Sequence, residues 1–290
     1  MRYICHSVLI AGLAAWLFAV PASAITVTST TSAATLQASL LGGGPVGIDL
    51  GTVSLSVVSA HTSGGATSTG TYTNASNTYG IGDGIILSTG DVADYSDGPN
   101  NEPFNETNYG AAATDPDQED LLDPITGGSF NHFDATQLDV SFDMLAGYDQ
   151  VTFDVVFGSD EYPDFVLDDF LDGFGIYVNG TNVAILDGDP VRTNHPYMRA
   201  ETGTELNGVL GSTALPTSSL VLTFTAAVNP TGNTVTFIIA DTADATVDST
   251  AYIAGLGGVA AATTVPEPLT MTASLLALGA VGLALVRRRA

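Results

Sequence analysis

Residues 157–173 read FGSDEYPDFVLDDFLDG, and six of these seventeen side chains are carboxylates with no cation among them. Such crowding fits an acid/base pair, a metal site or a solvated acidic loop. Spacing argues against the first. A glycosidase sets two carboxyls ~5–10 Å apart across a sugar. Asp160 and Glu161 are adjacent and would face opposite ways on an extended chain. Calcium fits better, since it takes about six to eight oxygens from carboxylates, amides and backbone carbonyls. Asp160 and Glu161 follow an expected strand ending at Phe157. Asp168 and Asp172 precede one starting at Phe174. Asp241, Asp244 and Asp248 follow one ending at Ile239. Strand ends can meet in space, and so many carboxylates cannot all stay ionised together without a cation. These seven residues are the expected calcium ligands. An acidic loop that holds protons instead is the alternative left open.

Other motifs carry less. DPDQEDLLD, residues 115–123, copies the front of an EF-hand loop with Asp115, Asp117 and Glu119 at alternate positions. Asp120 stands where that loop needs Gly, and Thr126 where it needs the closing Glu, so an ordinary acidic loop is expected. Neither G-x-S-x-G nor H-E-x-x-H occurs. His132 and His195 are expected to be polar loop residues rather than zinc ligands. The single cysteine, Cys5, lies in the N-terminal leader, which removes thiol chemistry and disulfides from the mature chain. No catalytic residue is expected. Tyr72, Tyr79, Tyr95 and Tyr109 fall in expected loops and could stack on sugars. That keeps a non-catalytic carbohydrate-binding module, with exopolysaccharide as ligand, as the alternative function. A glycoside hydrolase stands third.

The elements that must position these residues are strands. Leu138, Val140, Phe142 and Met144 alternate with Asp139, Ser141 and Asp143. Val151, Phe153, Val155 and Phe157 repeat the period, as do Phe174, Ile176 and Val178. Asn179-Gly180 then predicts a two-residue hairpin turn, because a type I′ turn needs positive φ twice. Leu220, Leu222 and Phe224 are expected to pair with Val235, Phe237 and Ile239 across a turn at 229–233. Ser32 predicts the cap of one short helix bearing Leu36, Leu40 and Leu41, stopped by Gly42 to Gly44. Residues 60–80 are expected to be loop or edge strand. Alternation implies one wet and one buried face per sheet, and hence an all-β, two-sheet, jelly-roll-like sandwich.

The ends place the protein outside the cytoplasm. Residues 1–24 form an expected signal peptide, with Arg2, an apolar run and Ala22 and Ala24 at the cleavage site. The sandwich domain is expected over 25–262. Residues 263–290 hold Pro266-Glu267-Pro268, an apolar run from Leu269 to Val286 and Arg287, Arg288 and Arg289. The run would span roughly 27 Å as a transmembrane helix, with its arginines on the cytoplasmic side. Without both ends, Arg192 and Arg199 face 30 acids, and lysine is absent from the whole chain. Nucleic acid is excluded as a partner, since phosphates need clustered Lys and Arg. Divalent cations would relieve the self-repulsion of such a surface.

Two resemblances follow. The C-terminal order of Pro-Glu-Pro, apolar helix and arginine cluster resembles the PEP-CTERM sorting signal of Gram-negative bacteria. It implies transient inner-membrane insertion, processing by an exosortase and delivery to the cell surface or extracellular matrix. Between the ends, GIILSTGDVADYSDGPN, FGSDEYPDF, FGIYVNGTNVAIL and IADTADATVDSTAYI occur in that order after LQASLLGGGPVGI. These blocks resemble the choice-of-anchor L domain over roughly residues 34–258. The resemblance implies a secreted, surface-attached protein with no known reaction. Relatives usually carry Asn where this chain has Leu171. The expected function is structural or adhesive, stabilised by calcium, with extracellular polysaccharide or surface proteins as partners.

Overall fold

The computed structural model describes residues 25–98, 100–110, 115–128 and 130–262. The leader with Ala22 and Ala24 lies outside the described residues. So do Pro266, Glu267, Pro268, the apolar run and Arg287 to Arg289. Among the described residues no helix is long and apolar enough to cross a membrane.

Twelve strands of three or more residues carry the fold. They are β1 (Ile25–Ser29), β2 (Ile48–Ser59), β3 (Thr69–Asn74), β4 (Gly84–Ser88), β5 (His132–Met144) and β6 (Tyr148–Ser159). After these come β7 (Gly173–Val178), β8 (Met198–Ala200), β9 (Gly208–Leu210), β10 (Leu222–Ala227), β11 (Asn233–Thr242) and β12 (Ser249–Ala260). One sheet has eight strands in the order β1-β3-β4-β12-β6-β9-β8, with β10 also against β6. The other has five, running from the two-residue strand Thr181–Asn182 through β7, β11 and β5 to β2. Strand pairing is antiparallel throughout. The sheets are unequal, and together hold more strands than the eight of a simple jelly roll.

The alternating residues do face a common core. Val151, Phe153, Val155 and Phe157 of β6 meet Leu138, Val140, Phe142, Ile176 and Phe237 from the other sheet. Phe153 and Phe237 touch edge-on across the sheets, with ring centroids 5.8 Å apart. Helix α1 (Ala33–Leu40) buries Leu36 and Leu40 in the same core, and the Ser32 hydroxyl caps it by accepting from the Thr35 N–H. The hairpin at Asn179-Gly180 also forms, with φ of 49° and 80°.

Three expectations fail for physical reasons. β10 and β11 make no hairpin: β10 pairs with β6 in one sheet, while β11 pairs with β5 and β7 in the other. The intervening loop crosses between layers. Asn233 clamps it, accepting from the Asn229 N–H at 2.8 Å and donating to the Asn229 carbonyl at 2.8 Å. Alternation fixes which face is buried, and a hairpin and a layer crossing bury the same residues. Second, β3 is not an edge strand, since it sits between β1 and β4. Third, the sheets are not wet on one side throughout. Val156, Tyr72, Tyr95, Leu206, Val209 and Tyr252 build a second apolar layer behind the larger sheet. Behind the smaller one, Leu122 and Ile125 of a second helix, α2 (Pro116–Thr126), pack on Tyr177, Ile238 and Ala240. The EF-hand-like stretch is therefore helical, not a loop. Asp115 caps it through the Asp117 N–H, Pro116 opens it, and Gly127 ends it at φ 108°.

A candidate metal centre at the strand ends

Five of the seven expected ligands come together in the interior. Asp160 and Glu161 end the β6 run, Asp172 precedes β7, Asp241 lies near the end of β11 and Asp248 precedes β12. Each is no more than 2% exposed. Asp244 is half-buried beside them, and Asp168 is exposed on the outer loop. The sequence reading missed a sixth fully buried acid, Asp134 of β5. It precedes the alternating run that begins at Leu138. A β-bulge lies here: the register jumps between Ile239–Thr136 and Asp241–Phe133, and Asp134 takes φ 47°. Bulges re-aim side chains in this way, and alternation breaking at Asp134-Ala135-Thr136-Gln137 was its only trace.

Some of these carboxylates are well held. Asp160 Oδ2 accepts from the Asn105 N–H at 2.9 Å and from Asn105 Nδ2 at 3.0 Å, and Oδ1 accepts from the Asn207 N–H at 2.8 Å. Asp172 accepts from the Thr242 N–H at 3.0 Å and from the Ser249 hydroxyl at 2.7 Å. Asp248 accepts from the Thr107 N–H at 3.1 Å and Asp134 from the Tyr109 N–H at 2.8 Å. Thus the stretch between β4 and α2 brings residues 105–109 down onto the centre. Beneath it, Ser68, Ser88, Thr136 and Thr250 form a buried hydroxyl network. Thr136 donates to Ser68 at 2.7 Å and Thr250 to Ser88 at 2.8 Å. Gly90 makes room, because a Cβ there would stand 1.7 Å from Asp248 Oδ2.

Two acids are not held. Both oxygens of Asp241 are buried without a hydrogen-bond partner, and so is Glu161 Oε2. Burial raises the Asp241 carboxyl well above its ordinary value, and the nearby Asp172 and Asp248 charges push it further. The Thr89 hydroxyl offsets part of this but reaches neither oxygen with normal hydrogen-bond geometry. Burial, then Asp172 and Asp244, push Glu161 up to about 9. Asp248 rises to about 8 and Asp172 to about 7, in each case chiefly through burial. Asp160 rises only to about 6, because its three donors oppose the burial.

No cationic side chain answers them. Among the described residues, none of Asp160, Glu161, Asp172, Asp241 and Asp248 has an ion pair. Arg192 donates to the Ile125 carbonyl, and Arg199 to Leu215 and Ser218 with Glu201 beside it. A buried carboxylate with neither donor nor countercharge costs several kcal/mol, so it takes up a proton or binds a metal. The oxygen-only donor set, rich in carboxylates, suits a hard dication such as calcium. The centre is nonetheless loose. The group whose ligand atoms all lie within 4.8 Å of one another among the described residues is a different one: Glu119, Asp123 and His132.

The remaining sequence candidates fall elsewhere. Tyr72 and Tyr95 are core residues that no sugar can reach. Tyr79 is half-buried with its hydroxyl on Thr204, and Tyr109 stacks on His61 at 5.3 Å. His132 is not a loop residue but opens β5, fully buried, whereas His195 does lie in a turn region.

No curated protein and no solved structure matches the chain. A family model does match, over residues 26–257, nearly the whole described sandwich and all of its buried acids. The chain belongs to the choice-of-anchor L domain family.

Proposed function

We propose that this chain is an exported bacterial surface or matrix protein with a structural or adhesive role, whose buried acidic centre holds calcium. Family membership supports surface association. The C-terminal sequence supports sorting by an exosortase, with cleavage near Pro266-Glu267-Pro268 and Arg287 to Arg289 left on the cytoplasmic side. The observation that carries the calcium reading is Asp241, a fully buried carboxylate with two unpartnered oxygens beside Asp172 and Asp248. Asp241 and Glu161, with their unpartnered oxygens, would hold the ion first, and Asp172, Asp248 and Asp160 would have to draw in around it, with Asp244 at the rim. The ion supplies the countercharge that the arginine-poor, lysine-free chain lacks. It also ties together three segments, near residues 105, 160–172 and 241–248, that no disulfide can fasten. The role is non-catalytic.

The test is thermal unfolding of the full chain in EDTA and in millimolar calcium. A calcium-dependent rise in Tm supports the reading, and identical curves sink it. Loss of cell aggregation on deletion, with no retention on glycan arrays, separates adhesion from sugar binding.

A further inference from the structure

We propose that Glu119, Asp123 and His132 form a second metal site, separate from the acidic centre and selective for a borderline dication of the zinc type. Glu119 and Asp123 stand one turn apart on α2, so they share a helix face. His132 opens β5 beneath that helix with its ring fully buried. The three ligand atoms lie within 4.8 Å of one another.

The ring is held at both nitrogens, with Nε2 3.0 Å from the Thr126 hydroxyl and Nδ1 2.6 Å from Glu119 Oε2. A dication would take the place of the proton shared by Nδ1 and Glu119, and Nε2–H would then donate to Thr126. Asp123 supplies a third ligand for the metal. An imidazole with two carboxylates favours zinc-like ions over calcium, which prefers oxygen alone. Thr126 plays the part of the outer hydrogen bond that orients a ligating imidazole. Such an ion would clip α2 to the smaller sheet, where Leu122 and Ile125 already pack. The acidic centre shares none of these three side chains, so the two sites stand or fall separately.

The test is zinc titration of the full chain by calorimetry in saturating calcium, with cobalt as a spectroscopic stand-in. One ion per chain is expected, with visible cobalt bands that show nitrogen and oxygen ligation. Asp123→Asn, at a half-buried position, should keep the metal-free Tm and weaken zinc at least about 10-fold. Glu119→Gln should also weaken zinc, with a loss of metal-free Tm because Glu119 holds the buried His132 ring, and neither should alter the calcium response. If zinc binds the parent and both variants equally, or binds none of them, a proton alone bridges His132 and Glu119 and the proposal is wrong.

Discussion

Asn105 grips Asp160 twice, with its backbone N–H at 2.9 Å and its side-chain Nδ2 at 3.0 Å on the same oxygen. Its carbonyl meanwhile accepts from the Asp248 N–H at 3.0 Å. One residue of a long connection thus joins the two acidic segments, 160–172 and 241–248. Asn105→Ala removes one charge-assisted bond and leaves a buried carboxylate under-donated, at about 1–3 kcal/mol. Urea unfolding in calcium should show that loss, together with a weaker calcium response.

Asp241→Asn should separate the ion from the fold. The neutral amide removes the proton uptake that buried Asp241 needs when no ion is bound, so the variant should be no less stable than the parent in EDTA. It should also lose the calcium-induced stabilisation, which is about 2.7 kcal/mol when the ion is at 100 times its Kd. Melting curves with and without calcium measure both. A variant that keeps the full calcium shift would exclude Asp241 as a ligand.

The metal-free chain should be acid-stabilised. Its buried carboxyls titrate above their ordinary values, so the folded state binds protons more tightly than the unfolded state. That contribution is fully present below about pH 4. It is lost as pH rises through about 6 for Asp160, 7 for Asp172, 8 for Asp248 and 9 for Glu161. In EDTA, Tm should therefore fall across this range. With calcium the ion replaces the protons, and the fall should flatten. A chelated sample whose Tm rises over the same range would contradict the assignment.

Gly90→Ala should act on the centre without touching its charge. The new Cβ would stand 1.7 Å from Asp248 Oδ2, so the carboxylate must move. Overpacking of this kind costs about 1–3 kcal/mol. Chemical denaturation gives the cost. Calcium titration should show weaker binding than in the parent.

Sequence showed the strands better than their partners. The period of two located β5, β6, β7, β10 and β11, because one face of each is buried. It did not reveal that Phe224 lies opposite Phe153 while Val235 lies opposite Val140, since both arrangements bury the same side chains. The acids were legible for a similar reason. Asp160, Glu161, Asp172, Asp241 and Asp248 flank strand ends, where chain segments converge. Asp168 stays exposed on its loop, although its charge still reaches Glu161. Asp134 was hidden by a bulge, and Asn105 by a long irregular connection that no periodicity describes. Asp115 was legible as a helix cap, and was read instead as part of an acidic loop.

The last strand of the described chain sits in the middle of the larger sheet. β12 pairs with β4 on one side and β6 on the other, and Tyr252 stands opposite both Ile86 and Val156. Under the proposed export, a chain that emerges from its N-terminus must therefore wait. β1, β3 and β4 can associate early, and β6 can find β10, but the two halves stay apart until residues 249–260 emerge. Such long-range pairing is slow. Completion of the sheet is thus timed by the arrival of the C-terminal end, so truncation within β12 would leave two unjoined half-sheets rather than a slightly shorter domain.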